Sequence, residues 1–192
     1  MSIQNTQTRY GVARAAGLVL LASFFAATTL AQVDLGKRDP GAMRDRLARQ
    51  VRYELAMLAD HSVFDNLAFR IEGIDGVVLT GQVVRPNLKQ DAENAVRSIE
   101  AVGRIENNIE VLPLLPSDDA LRRAAFRAIY SQEGLDRYAV RAVQSIHIIV
   151  KNGHITLEGL TANQMDKDLA GIAARGVSGA FSVTNNLRVE SD

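Results

Sequence analysis

The sequence contains no cysteine and no tryptophan, three histidines and four prolines in 192 residues. Without cysteine there are no disulfides, no thiolate metal ligands, no cysteine nucleophile and no lipid-bearing N-terminal cysteine. Aromatic residues make up 5% of the chain, so the core must be built from aliphatic side chains. Acidic and basic residues are equal in number at 22 each, and the first 31 residues hold only Arg9 and Arg14 as charges. The remainder is therefore slightly acidic, which gives no support to nucleic-acid binding. Gly-x-Ser-x-Gly, phosphate-binding glycine-rich and His-Glu-x-x-His patterns are all missing, so no catalytic site, cofactor, metal or small-molecule substrate is expected.

What is present begins with a leader pattern. Arg9 and Arg14 precede an uncharged apolar run, Ala15 to Leu30, that closes on Thr29-Leu30-Ala31. A basic start, an apolar middle and small residues before a cut are the features of a secretory signal peptide, expected over residues 1–31 with cleavage after Ala31. The run is shorter than the roughly 20 residues that cross a bilayer. Export is expected to place the mature chain outside the cytoplasm.

The clearest local pattern is IHIIVKNGHITLEG at 146–159. Asn152-Gly153 readily adopts the two positive φ angles of a tight hairpin turn. A two-residue loop sets Lys151 opposite His154, Val150 opposite Ile155, Ile149 opposite Thr156, Ile148 opposite Leu157 and His147 opposite Glu158. Ile146, Ile148, Val150, Ile155 and Leu157 then share one face.

The chain also repeats itself. Shifted by 78 residues, 79–111 aligns with 157–189 without a gap, and nine of the 33 pairs are identical, among them Leu79/Leu157, Gly81/Gly159, Asn107/Asn185 and Asn108/Asn186. The chain thus reads as two domains, 41–112 and 118–190, joined by a linker at 113–117 that contains Pro113 and Pro116. Each is expected to run α-β-β-α-β. The fold class is α+β, each unit a three-stranded sheet covered on one face by two helices.

In the first unit, Asp39-Pro40 opens a helix over 41–59. A three-residue turn at Ile74-Asp75-Gly76, with Gly76 left-handed, sets Phe69 and Ile71 on the face of Val77 and Leu79. Asn87 is expected to cap the second helix, and Asn107-Asn108 to break the alternation of the last strand. In the second unit, Ser117 is expected to cap a helix through Leu121, Ala125 and Ile129. Leu135 to Val143 has helical composition, and a further helix spans 163–176. Each core is small, so the units are expected to pack together or to remain individually modest in stability.

These motifs, NGHITLEG at 152–159 and FSVTNNL at 181–187, echoed by DGVVLTG at 75–81 and RIENNIEV at 104–111, resemble the BON domain. The resemblance spans residues 41 to 190. It implies a tandem-BON envelope protein of the hyperosmotically inducible type, with phospholipid membranes as the proposed ligand and no recognised catalytic chemistry.

Candidate sites are few. His147 and His154 lie four residues apart along the hairpin, on the order of 13 Å, which is too far to share one metal ion. His147 and Glu158 read as a cross-strand pair, His61 as an isolated loop residue, and Asp118-Asp119 as acidic residues favoured by a helix N-terminus. Local backbone hydrogen bonds are expected of the two Asn-Asn pairs. The remaining features are basic helix faces: Arg44, Arg46, Arg49 and Arg52 in the first unit, and Arg122, Arg123, Arg127, Arg137 and Arg141 in the second. The second set is the candidate contact with anionic phospholipid surfaces or envelope proteins. A chaperone-like periplasmic adaptor is the alternative function.

Overall fold

A computed structural model describes residues 39–140 and 145–190. The leader pattern with its cut after Ala31, and Arg141 with the rest of 141–144, lie outside the described residues.

Helix α1 (Pro40–Ala56) starts with Asp39, whose carboxylate accepts a hydrogen bond from the Gly41 amide at 2.9 Å, and with Pro at its first position. Leu47, Val51 and Leu55 recur on its buried stripe. Strands β1 (Asn66–Glu72) and β2 (Gly76–Val83) pair antiparallel, with Ile71 opposite Val77 and Phe69 opposite Leu79. The face assignment expected for Phe69 and Ile71 holds, but the loop is Gly73-Ile74-Asp75. Gly73 is left-handed at φ 65°, whereas Gly76 is already paired with Glu72. The register moves by two residues and so preserves the face.

After α2 (Pro86–Arg97) come β3 (Arg104–Asn107) and β4 (Glu110–Val111), both parallel to β2. The third strand position is thus two short pieces broken at Asn108-Ile109. Asn107 makes the break regular: its Nδ2 donates to the Lys89 carbonyl at 2.9 Å and its Oδ1 accepts from the Ile109 amide at 3.2 Å. Asn185 repeats both bonds in the second unit, to Lys167 and Leu187. The paired asparagines therefore tie the last strand to the preceding helix.

The second unit follows the same order: α3 (Pro116–Tyr130), α4 (Asp136–Ala139), β5 (Ile146–Lys151), β6 (His154–Thr161), α5 (Gln164–Arg175), β7 (Ser182–Asn185) and β8 (Arg188–Val189). The β5–β6 register is the expected one at every pair from His147↔Glu158 to Lys151↔His154. Asn152 and Gly153 carry φ angles of 51° and 81°. All five apolar residues of the inner face are fully buried. Ile149, on the opposite face, is buried as well. The helical segment expected over 135–143 is helical at 136–139 among the described residues.

Two expected caps are corrected. Asn87 and Ser117 sit inside their helices, because Pro86 and Pro116 take the first helical position and leave Arg85 and Leu115 as caps without a side-chain bond. Asn163 does cap α5, accepting from the Asp166 amide at 2.9 Å.

The units are joined by more than the linker. Val63, in the loop after α1, is buried within the core of the second unit, and its carbonyl accepts a hydrogen bond from the Ile148 amide at 2.8 Å. Asp65 holds that loop in place: one carboxylate oxygen accepts from the Val84 amide at 2.7 Å and the other from Ser62 Oγ at 2.6 Å.

Candidate membrane-facing site on helix α3

The five arginines singled out in the second unit divide into different environments. On α3 the residues Asp118, Arg122, Ala125 and Ile129 form one buried stripe. Arg122 is 2% exposed; its guanidinium pairs with Asp119 and donates to the Val150 carbonyl at 2.8 Å. Asp118 is fully buried and accepts from the amides of Asn152 and Gly153, each at 2.8 Å. These two side chains fasten α3 to the hairpin. Asp118 does stand in the first turn of the helix, but its carboxylate is committed to the turn amides, and Arg122 has no free surface to offer.

Arg123 and Arg127 are exposed and take part in no ion pair among the described residues. Between them Phe126 is 37% exposed, its ring 6.2 Å from that of Phe64 and 4.8 Å from that of Tyr130. Phe64, Arg123, Phe126 and Arg127 line a shallow depression of about 390 Å³. A second hollow, about 590 Å³, continues along Arg127, Ala128, Tyr130 and Ala139. Tyr130 is anchored by its hydroxyl, which donates to the Ile146 carbonyl at 2.9 Å, and burial pushes its ionisation up. The outer face of α3 therefore sets two guanidinium groups without ion pairs beside a cluster of aromatic rings. Arg137 stands apart, paired with Asp166 and set against the Tyr138 ring at 5.1 Å.

Two histidine readings change. His61 is not isolated: its ring stacks on His147, with centroids 5.8 Å apart. His147 does face Glu158 across the hairpin, but Glu158 accepts from Asn186 Nδ2 at 2.8 Å. Burial, with the neighbouring His61 charge second, lowers the His147 pKa to about 4, opposed by Asp65; His61 is lowered by burial as well. His154 lies away from this pair, its Nδ1 2.7 Å from Ser182 Oγ. Among the described residues no group of three or more His, Asp or Glu side chains is placed to hold a metal ion. No helix among them is long and apolar enough to cross a membrane.

The basic face of the first unit is carried by α1, where Arg44, Arg46, Arg49 and Arg52 are all exposed. What the sequence reading missed was the split on α3. The spacing 118, 122, 125, 129 is a helical core stripe, and it already assigned Arg122 and Asp118 inward.

Two small α+β units of one design, one bearing a cationic and aromatic helix face, define a tandem-module protein. The BON domain family model matches residues 45–113 and 118–191. The chain belongs to the BON domain family, in two copies. No curated protein matches it. Among solved structures it is similar to the C-terminal domain of CdsD, the structural protein of the type III secretion system of Chlamydia trachomatis, at 12% identity and a TM-score of 0.30, covering 76% of this chain and 98% of that one. A second CdsD structure is similar at 11% identity with the same TM-score, covering 76% and 92%. Likeness at this level informs neither partner nor activity.

Proposed function

We propose that this chain is a non-enzymatic periplasmic protein that associates with anionic phospholipid surfaces through the outer face of α3. The observation that carries the reading is the grouping of exposed Arg123 and Arg127 with partly exposed Phe126 around one depression. Basic residues near an anionic surface contribute about 1 kcal/mol each. An aromatic ring that enters the interface adds apolar burial. The resulting association is weak and reversible, in keeping with a face that bears only two free cations. The leader pattern at 1–31 supports export, and the part played in osmotic or envelope stress is drawn from the family resemblance alone.

Co-sedimentation with vesicles tests the reading. Vesicles rich in phosphatidylglycerol should retain the protein at low salt, and neutral vesicles should not. The double change Arg123→Glu, Arg127→Glu should abolish retention. Equal behaviour on the two vesicle types would reject it.

One feature favours the adaptor reading. Met165 and Ile172 are exposed on α5 at a spacing that sets them on one side of the helix, 77% and 59% exposed. Two apolar side chains on one helix face give a protein partner a place to make contact. In-cell cross-linking from position 172 should then recover one specific polypeptide, and recovery of none would count against it.

A further inference from the structure

A cleft of about 610 Å³ lies beside the histidine stack, between α1 and β1. Its size is in the range of small-ligand sites. One wall is apolar, formed by Leu55, Leu67, Phe69 and Ile71. Beside it stand three cations. Arg44, Ala48 and Arg52 recur at every fourth position of α1 and so share one helix face, and Arg188 reaches the cleft from β8 of the second unit. None of these three arginines has an ion-pair partner among the described residues, and the single acidic lining residue is Asp45. The guanidinium of Arg52 sits over the Phe69 ring at 5.9 Å, which places the charge directly beside the apolar wall. His61 and His147 also line the cleft.

Free cations grouped next to a greasy wall match a ligand with an anionic head and an apolar body. We propose that this cleft is a binding site for a single-chain fatty carboxylate in its monomeric form, held by Arg52 and Arg188 at the head and by Leu55, Phe69 and Ile71 along the chain. Because α1, β1 and His61 come from the first unit and His147 and Arg188 from the second, the site is complete only when both units are docked.

The experiment uses the full chain and dodecanoate below its micelle-forming concentration, followed by calorimetry and by the imidazole signals of His61 and His147. Saturable one-site binding that shifts both imidazole signals is expected. The exposed-residue double change Arg52→Gln, Arg188→Gln should weaken it about tenfold or more. The α3 double change Arg123→Glu, Arg127→Glu should leave it unaltered. The proposal is overturned by absence of saturation, by undiminished affinity in the Arg52 and Arg188 variant, or by equal loss in the α3 variant. It is overturned equally if inorganic phosphate displaces dodecanoate completely, which would mean an anion site only, or if dodecanol binds as tightly, which would mean an apolar groove only. Since no vesicle is used, a chain that binds dodecanoate but no membrane would leave this site standing and remove the α3 reading.

Discussion

The imidazoles of His61 and His147, one from each BON domain, are stacked with their centroids 5.8 Å apart and their planes inclined by 30°. Nε2 of His61 and Nδ1 of His147 are covered and have no hydrogen-bond partner in the protein. A stack of this kind favours neutral rings, because each added proton must be buried and the second would face the first.

Stability should therefore depend on pH in a defined window. The unfolded chain takes up a proton at His147 near 6.5, the folded chain only near 4. Between those values the unfolded state binds more protons, so stability rises with pH and is lost as pH falls from 6.5 to 4. The difference corresponds to about 3 kcal/mol at most, with His61 acting in the same direction and Asp65 against it. Urea midpoints measured across the window should fall toward acid, and His147→Gln should flatten the profile. A profile equally steep in the variant would assign the effect elsewhere.

Neighbouring arginines on α3 should respond in opposite ways. Arg122→Met leaves the Val150 carbonyl without its guanidinium partner at a buried position and frees the solvent-facing Asp119 carboxylate. The cost should be about 2–4 kcal/mol. Asp118→Ala, which strands two turn amides, should fall in the same range. Arg123→Ala, fully on the surface, should lie within about 0.5 kcal/mol of the parent. Chemical denaturation decides it, and similar losses for Arg122 and Arg123 would contradict the burial described here.

Glycine at 159 is required by space as well as by conformation. Its φ is 113°, and a Cβ would fall 2.1 Å from the Ser145 carbonyl oxygen; Gly81 has φ 116° and the same clash with Asn66 at 1.9 Å. Alanine at either position forces the two strands apart, with an expected loss of about 3 kcal/mol or more. Gly134 is the control, because its φ of 88° is unusual but nothing lies within 4 Å of its missing Cβ. Gly134→Ala should cost only about 1 kcal/mol. Thermal melts that rank Gly134→Ala as the worse variant would reject the steric account.

Much of this architecture was readable before any coordinates, for physical reasons. A period of two on both sides of Asn152-Gly153 admits one register, and every pair of β5 and β6 obeys it. Repetition at 78 residues carried the first unit along with the second. The losses have physical causes too. A charged residue on a helix reads as solvated by default, so Arg122 was grouped with Arg123 and Arg127 although its stripe runs through Asp118, Ala125 and Ile129. The partner of His61 lies 86 positions away, and no local pattern encodes a contact of that range. Proline at the first helical position outranked Asn87 and Ser117 as the start of a helix.

Val63 provides the sharpest test of how the two domains are coupled. It belongs to the first by sequence, yet its side chain is 7% exposed and packs with Leu121, Ile148 and Leu157 in the core of the second. Its carbonyl also extends the outer edge of β5 by one hydrogen bond. Val63→Ala removes two methyl groups from that core, and about 1–2 kcal/mol of stability should go with them. The loss should appear as faster amide exchange in β5 and β6 of the second domain, while β2 and α2 of the first keep their protection. If instead the first domain alone loosens, the loop 60–65 is a local closure of its own domain and the two cores are energetically independent.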